Sequence, residues 1–104
     1  MSQIIEITSD RDEQSFINNN PRAVVFFGSA HCGHCQHMKP IIEALAIEYP
    51  QIKFAHVEVS KVSVDMQHFE GVPLFVGYRS GNPVNVIVGA DENAVTTMVK
   101  TQLL

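Results

Sequence analysis

The sequence has little of several features that mark common protein classes. It contains no tryptophan, only two cysteines, and seven Lys and Arg residues against eleven Asp and Glu residues. A formal net charge of -4 provides no basic footprint for nucleic acid or for an anionic membrane surface. No apolar run approaches the roughly 20 residues that a membrane-spanning helix needs. Two cysteines are also too few for the disulfide framework of a small secreted scaffold.

Length and composition fit one ordinary globular domain, spanning residues 1–104. Hydrophobic residues make up 45% of the chain and charged residues 17%, and a chain of about 100 residues can bury one core without a structural metal. Met1 to Asp10 carries no basic region, and Glu6 interrupts its apolar residues. We therefore expect no targeting segment and a cytoplasmic protein. Because no long exposed apolar run demands a partner, we expect a monomer.

The hydrophobic pattern alternates between strand and helix along the chain. Strands are predicted at residues 4–7, 23–27, 53–59, 74–78 and 84–88, the last two joined as an antiparallel hairpin. Helices are predicted at residues 11–18, from the cysteines to Pro50, and after Asp91, with a short helical or irregular connection at 63–68. This order predicts an α/β protein with a central mixed sheet flanked by helices on both faces.

The two cysteines, Cys32 and Cys35, lie where a buried strand gives way to a helix. The first turn of a helix presents unpaired N–H groups and the positive end of the helix dipole, and both stabilise a thiolate. Cys32 is therefore the predicted nucleophile, which forms a mixed disulfide with the substrate. Cys35, one turn later on the same side, is the predicted resolving cysteine, which releases the substrate. Zinc sites use the same Cys-x-x-Cys spacing, and His31, His34 and His37 surround the pair, so a metal site is an alternative.

The residues around this segment resemble the thioredoxin family, and the resemblance covers nearly the whole chain. The matching residues are Val24-Val25-Phe26-Phe27, Cys32-Gly33-His34-Cys35, Pro40, Val72-Pro73, Gly81 and Gly89-Ala90. The resemblance implies a thioredoxin fold and a thiol–disulfide oxidoreductase that acts on protein disulfides without a cofactor. It also implies a reductase or other redox partner, a cis bond before Pro73 and a kink at Pro40. The substrate groove would be lined by His31, Gly33, His34, Val72 and Pro73.

The Cys-Gly-His-Cys tetrad is that of protein disulfide isomerases, because typical thioredoxins carry Pro where this chain has His34. A histidine between the cysteines can stabilise the Cys32 thiolate and so make the disulfide more oxidising. Thioredoxin has a reduction potential of about −270 mV and protein disulfide isomerase one of about −180 mV. We expect this chain to lie between them or near the isomerase.

Two further departures concern positions beside the cysteines. His31 stands where the family usually has Trp, and Phe26 stands where it has a buried Asp or Glu. That acid is thought to help deprotonate the resolving cysteine, and its usual Lys partner aligns with His56. Either His56 replaces the acid as the base, or Cys35 reacts slowly. His34 and His56 are thus the residues expected to tune the ionisation of the thiols.

These departures leave a second functional class open. In it, the thioredoxin fold serves as a binding module, chaperone or accessory subunit, and the dithiol is regulatory or binds metal. The groove around Cys32 and Val72-Pro73 would bind extended peptide in either case. The oxidoreductase is the favoured function, and its direction depends on the redox poise and on the electron source.

Overall fold

A computed structural model of the protein describes residues 3–62 and 71–104. The strands are β1 (Ile4–Ile7), β2 (Arg22–Gly28), β3 (Lys53–Glu58), β4 (Leu74–Arg79) and β5 (Asn82–Val88). The helices are α1 (Asp10–Asn19), α2 (Gly33–Glu48) and α3 (Glu92–Met98), with a 3-10 turn at Val59–Lys61 and a π-helical turn at Val99–Leu103. The connection predicted at 63–68 lies outside the described residues.

The strands form one mixed sheet in the order β1-β3-β2-β4-β5. β3 runs parallel to β1 and β2, whereas β4 runs antiparallel to β2 and β5. Each residue from Ala23 to Phe27 is at most 6% exposed, which confirms the prediction of a strand covered on both faces. Because α2 follows this central strand, the cysteine segment lies at the carboxyl end of β2.

Side chains at alternate strand positions lie on opposite faces of the sheet, and each face has its own hydrophobic core. On the side that we call the α2 face, α2 and α3 pack Met38, Ile42 and Val95 against Phe26 and Phe75. On the opposite side, the α1 face, Phe16 and Ile17 of α1 pack against Val25, Phe27 and Val57. The helices on both faces confirm the predicted fold class.

Several element ends differ from the predicted ones. β3 ends at Glu58, one residue early, because the chain turns there into the 3-10 segment. β5 begins at Asn82, so Pro83 lies inside a strand, where it pairs with Tyr78 beside a bulge. A proline is tolerated there because β5 is an edge strand that needs no second partner. After α3 the chain widens into a π-helical turn that keeps Val99 and Leu103 buried.

α2 continues through Pro40 to its end at Glu48, and the kink expected at Pro40 stays a prediction. Over the two described ranges, the structure contains no helix that is both long enough and apolar enough to span a membrane.

Candidate active site

Cys32 is the N-cap residue of α2. Its Sγ accepts a hydrogen bond from the backbone N–H of Cys35 at 3.1 Å, the role that a Ser or Asp side chain usually has at the start of a helix. α2 is 16 residues long, so its dipole places partial positive charge beside this sulfur. A thiolate at Cys32 therefore has both a hydrogen-bond donor and a helix N-terminus to stabilise it.

The structure shows the cysteines in their oxidised state. A disulfide joins Cys32 to Cys35, whose Cα atoms are 5.2 Å apart. Cys35 is only 2% exposed, whereas Cys32 is partly accessible at the surface. An incoming sulfur atom can thus approach Cys32 but not Cys35, and this difference favours Cys32 as the attacking cysteine.

A second loop lies against Cys32. The Val72-Pro73 peptide bond is cis, as the family resemblance implies. The carbonyl oxygen of Val72 lies 3.8 Å from Sγ of Cys32, although the two residues are 40 positions apart. The carbonyl of Pro73 accepts a hydrogen bond from the N–H of Gly89 at 2.8 Å, which ties the loop to the end of β5.

The other predicted groove residues surround Cys32 without converging on one point. Gly33 and His34 are exposed on the first turn of α2, and the His34 side chain is not hydrogen-bonded to either cysteine. His31 is exposed as well and lines a groove of about 730 Å³ with the 3-10 turn at Val59–Lys61. Val72 therefore lies against Sγ of Cys32, whereas His31 lies at a different edge of the site.

His56 of β3 is buried on the α2 face, with 8% of its surface exposed. Its Nδ1 lies 2.8 Å from Oε2 of Glu6 on β1, because the parallel register sets these residues opposite each other. On its other side the register sets Phe26 opposite His56, and their rings meet edge to face with centroids 5.1 Å apart. The imidazole is thus held between a carboxylate and an aromatic ring.

Gly28, the last residue of β2, leaves space between His56 and Cys35. A Cβ atom at this position would lie 3.2 Å from Nε2 of His56 and 3.4 Å from Sγ of Cys35. Nε2 of His56 and Sγ of Cys35 therefore both lie close to Gly28. Cys35 and His56 also line one pocket of about 420 Å³, together with Lys39 and Glu58.

Glu6 is the residue of this site that sequence reasoning missed. Its signal is a carboxylate within the otherwise apolar run Ile4–Ile7, on the same side of β1 as Ile4. In the sequence alone, Glu6 is informative only as a charge that argues against a targeting segment. The sequence does not reveal which strand pairs with β1, so it could not connect Glu6 with His56.

The metal-site alternative gains no support from the side-chain arrangement. Within residues 3–62 and 71–104, no three His, Cys, Asp or Glu side chains are grouped so that they could hold a metal ion. His31, His34 and His37 are all exposed around the disulfide, and they do not converge on it.

Comparisons with known proteins agree on the family. The family model for Thioredoxin matches residues 3–101. Thioredoxin-3 of Dictyostelium discoideum is 28% identical over 105 residues, which cover 99% of this chain and 100% of the relative. A Plasmodium falciparum thioredoxin structure has a TM-score of 0.88 and 26% identity, covering 95% of this chain and 99% of its own.

A third match is a chain from a structural study of the thiol-resolving mechanism in yeast mitochondrial 1-Cys peroxiredoxin, which works via glutathione and thioredoxin systems. The matched chain has a TM-score of 0.82 and 25% identity, and the alignment covers 93% of each chain.

Proposed function

Since the chain belongs to the thioredoxin family and is a thiol–disulfide oxidoreductase, we propose that Cys32 and Cys35 exchange two electrons with disulfides in extended protein segments. The observation that carries this proposal is the pairing of an accessible Cys32 at a helix N-terminus with a buried Cys35 one turn later. Cys32 therefore attacks the substrate disulfide, and Cys35 resolves the mixed disulfide.

The reaction begins when the Cys32 thiolate attacks one sulfur of the substrate disulfide. A bond forms between Cys32 and that sulfur, the substrate S–S bond breaks, and the second substrate sulfur leaves as a thiolate that takes a proton. Cys35 then loses its proton and attacks Cys32. The Cys32–Cys35 bond forms, the mixed disulfide breaks, and the substrate departs with both electrons. A reductase or another dithiol reverses these steps to regenerate the protein.

The substrate binds beside Cys32, where the Val72 carbonyl is available to a backbone N–H of an extended peptide. Pro73 is buried, and the hydrogen bond from Gly89 to its carbonyl holds this loop in place. Gly33 leaves open space above α2, since nothing lies within 4 Å of where its Cβ would be. His31 and His34 contact the flanking residues of the substrate. An oxidised peroxiredoxin is one protein substrate to test, because a relative comes from such a system.

His34 makes the disulfide more oxidising than that of a typical thioredoxin. An imidazole on the first turn of α2 can hydrogen-bond to the Cys32 thiolate or place positive charge near it, which favours the thiolate and hence the reduced form. The reduction potential is measured by equilibration with glutathione and thiol labelling. We expect a value above about −270 mV and a lower one for His34→Pro. Proline fits this position because the first turn of a helix has no partner for its N–H.

The activity itself is tested by dithiothreitol-driven reduction of insulin, followed by turbidity. Cys32→Ser should abolish the reaction. Cys35→Ser should accumulate mixed disulfide with the substrate, because the resolving sulfur is gone. If the Cys32→Ser, Cys35→Ser double variant kept its full biological function, the dithiol would be dispensable and the binding-module alternative would gain support.

The cytoplasmic location and the monomeric state stay predictions. Fractionation of cells and sedimentation of the purified protein would check them.

A further inference from the structure

We propose that Glu6 is a positioning residue that sets His56 to accept the proton of Cys35, so that the Glu6–His56 pair replaces the acid missing at position 26. This inference rests on the proposed function, since it concerns the step in which Cys35 resolves the mixed disulfide. It assigns a role to Glu6 on β1, which neither the sequence pattern nor the family resemblance singles out.

The hydrogen bond at Nδ1 determines which ring nitrogen of His56 is free. An ionised carboxylate only accepts hydrogen bonds, so the 2.8 Å contact requires Nδ1–H to donate to Oε2 of Glu6. In the neutral ring the other nitrogen, Nε2, is then an acceptor. Nε2 is the ring nitrogen that lies beside Gly28, and Sγ of Cys35 lies beside the same residue. Glu6 therefore selects the tautomer that can take a proton from Cys35.

The separation of the two atoms suits proton transfer. The Cβ atom that Gly28 lacks would lie 3.2 Å from Nε2 and 3.4 Å from Sγ of Cys35. The two atoms are therefore separated by no more than the sum of these distances, a gap that one water molecule in the pocket can bridge. The pocket shared by Cys35 and His56 leaves room for it.

The same carboxylate stabilises the ring after it has accepted the proton. A buried imidazolium without a counter-charge is costly, and His56 is 8% exposed. The Glu6 side chain is 61% exposed, so Glu6 keeps its own hydration while its Oε2 pairs with the ring. Phe26 covers the opposite side of the imidazole and offers no polar group to compete.

The proton of the Cys35 thiol passes to Nε2 of His56, and the Cys35 sulfur attacks Sγ of Cys32. The Cys32–Cys35 bond forms while the bond between Cys32 and the substrate sulfur breaks. The electron pair of the broken bond leaves with the substrate thiolate, which takes up a proton from solvent. His56 then returns its proton to solvent.

The test is a single-turnover reaction of the reduced protein with a peptide disulfide that carries a different fluorophore on each half. Release of the first half reports attack by Cys32, and release of the second half reports resolution by Cys35. For Glu6→Gln we expect the second release to slow about tenfold, less than the roughly hundredfold or larger effect of a general base, because Glu6 only positions His56. The first release should stay within about twofold of wild type.

The control is Glu48→Gln, which removes an exposed carboxylate at the far end of α2. Its two release rates should match wild type. Loss of the first release in the unmodified protein would contradict the proposed function itself. A normal first release with an unchanged second release in Glu6→Gln would overturn only the role of Glu6.

A spectroscopic readout separates positioning from simple stabilisation of the fold. Nitrogen-15 NMR of the His56 ring should show the Nδ1–H tautomer in the reduced wild-type protein. In Glu6→Ala the ring should shift towards the Nε2–H tautomer, because the acceptor at Nδ1 is removed. A wild-type ring that carries its proton on Nε2 would overturn the proposal, whatever the rates.

Discussion

On the α2 face, Glu6 extends along the sheet to a histidine partner at 2.8 Å. On the α1 face, Oε2 of Glu13 is buried and has no hydrogen-bond partner among the described residues. Both carboxylates lie beside an apolar core, yet only one has a group that can share its charge. The comparison shows that a carboxylate which is both buried and unpartnered reduces stability, whereas one that stays hydrated and has a histidine partner can support chemistry.

On the α1 face, the pKa values of Glu13 and Tyr78 are both raised. Burial raises the pKa of Glu13 above its ordinary value of 4.5, and the negative charge of Asp10 raises it further. Burial also raises the pKa of Tyr78 above 10.0, with a smaller contribution from the charge of Glu13. The fold therefore disfavours the ionised form of the Glu13 side chain, even though the N-terminus of α1 favours negative charge.

The largest effect is expected from adding a side chain at Gly28, beside His56 and Cys35. Gly28→Ala puts a methyl group 3.2 Å from Nε2 of His56 and 3.4 Å from Sγ of Cys35, so the ring must shift by a few tenths of an ångström. We expect release of the mixed disulfide to slow about tenfold and the free energy of unfolding to fall by about 1 kcal/mol. Single-turnover kinetics and urea unfolding measure the two effects.

A double-mutant cycle with Glu6→Gln tests whether both changes act through one path. If they do, Gly28→Ala should slow release less in the Glu6→Gln background than in wild type. Fully multiplicative effects would indicate that Gly28 and Glu6 act separately.

A smaller effect of opposite sign is expected on the α1 face. Glu13→Gln removes a carboxylate whose ionisation the fold disfavours, so the variant should be more stable at pH 7, by about 0.5 kcal/mol. Because the folded pKa is raised, wild-type stability falls as the pH rises from the ordinary value of 4.5 through the folded value. The gain of the variant should therefore shrink towards pH 4. Urea unfolding of both proteins at pH 4 and pH 7 checks this, and a constant gain would refute the explanation.

The smallest effect concerns Tyr78. Because its pKa is raised, Tyr78 is protonated at neutral pH, and its ionisation has no influence on the stability of the protein there. Above pH 10.0 the fold resists ionisation of Tyr78, so the wild-type protein becomes less stable. In Glu13→Gln the pKa of Tyr78 should drop slightly towards its ordinary value. Alkaline titration of tyrosine absorbance in wild type, Glu13→Gln and Tyr78→Phe would measure the shift. No change between the first two would mean that burial alone raises the pKa.

Much of the site could be predicted from local features. The apolar run at β2, the Cys-x-x-Cys spacing and the following helical period placed Cys32 at a helix start and Cys35 one turn inside. The resemblance to thioredoxins supplied the cis bond before Pro73 and drew attention to His56. The exact ends of β5 and the π-helical turn after Met98 could not be predicted, because bulges and packing against the sheet decide them.

The sequence alone determined the elements, the reactive pair and the family, because all of these rest on residue types at short spacings. Only the tertiary structure decided that Glu6 meets His56, since their contact depends on the parallel pairing of two strands 50 residues apart. It also decided that Gly28 lies beside both His56 and Cys35, and that Oε2 of Glu13 has no hydrogen-bond partner in the described part of the chain while Glu6 pairs with His56. These facts depend on strand register and on which side chains share a face, and neither is encoded in the spacing of residues along the chain.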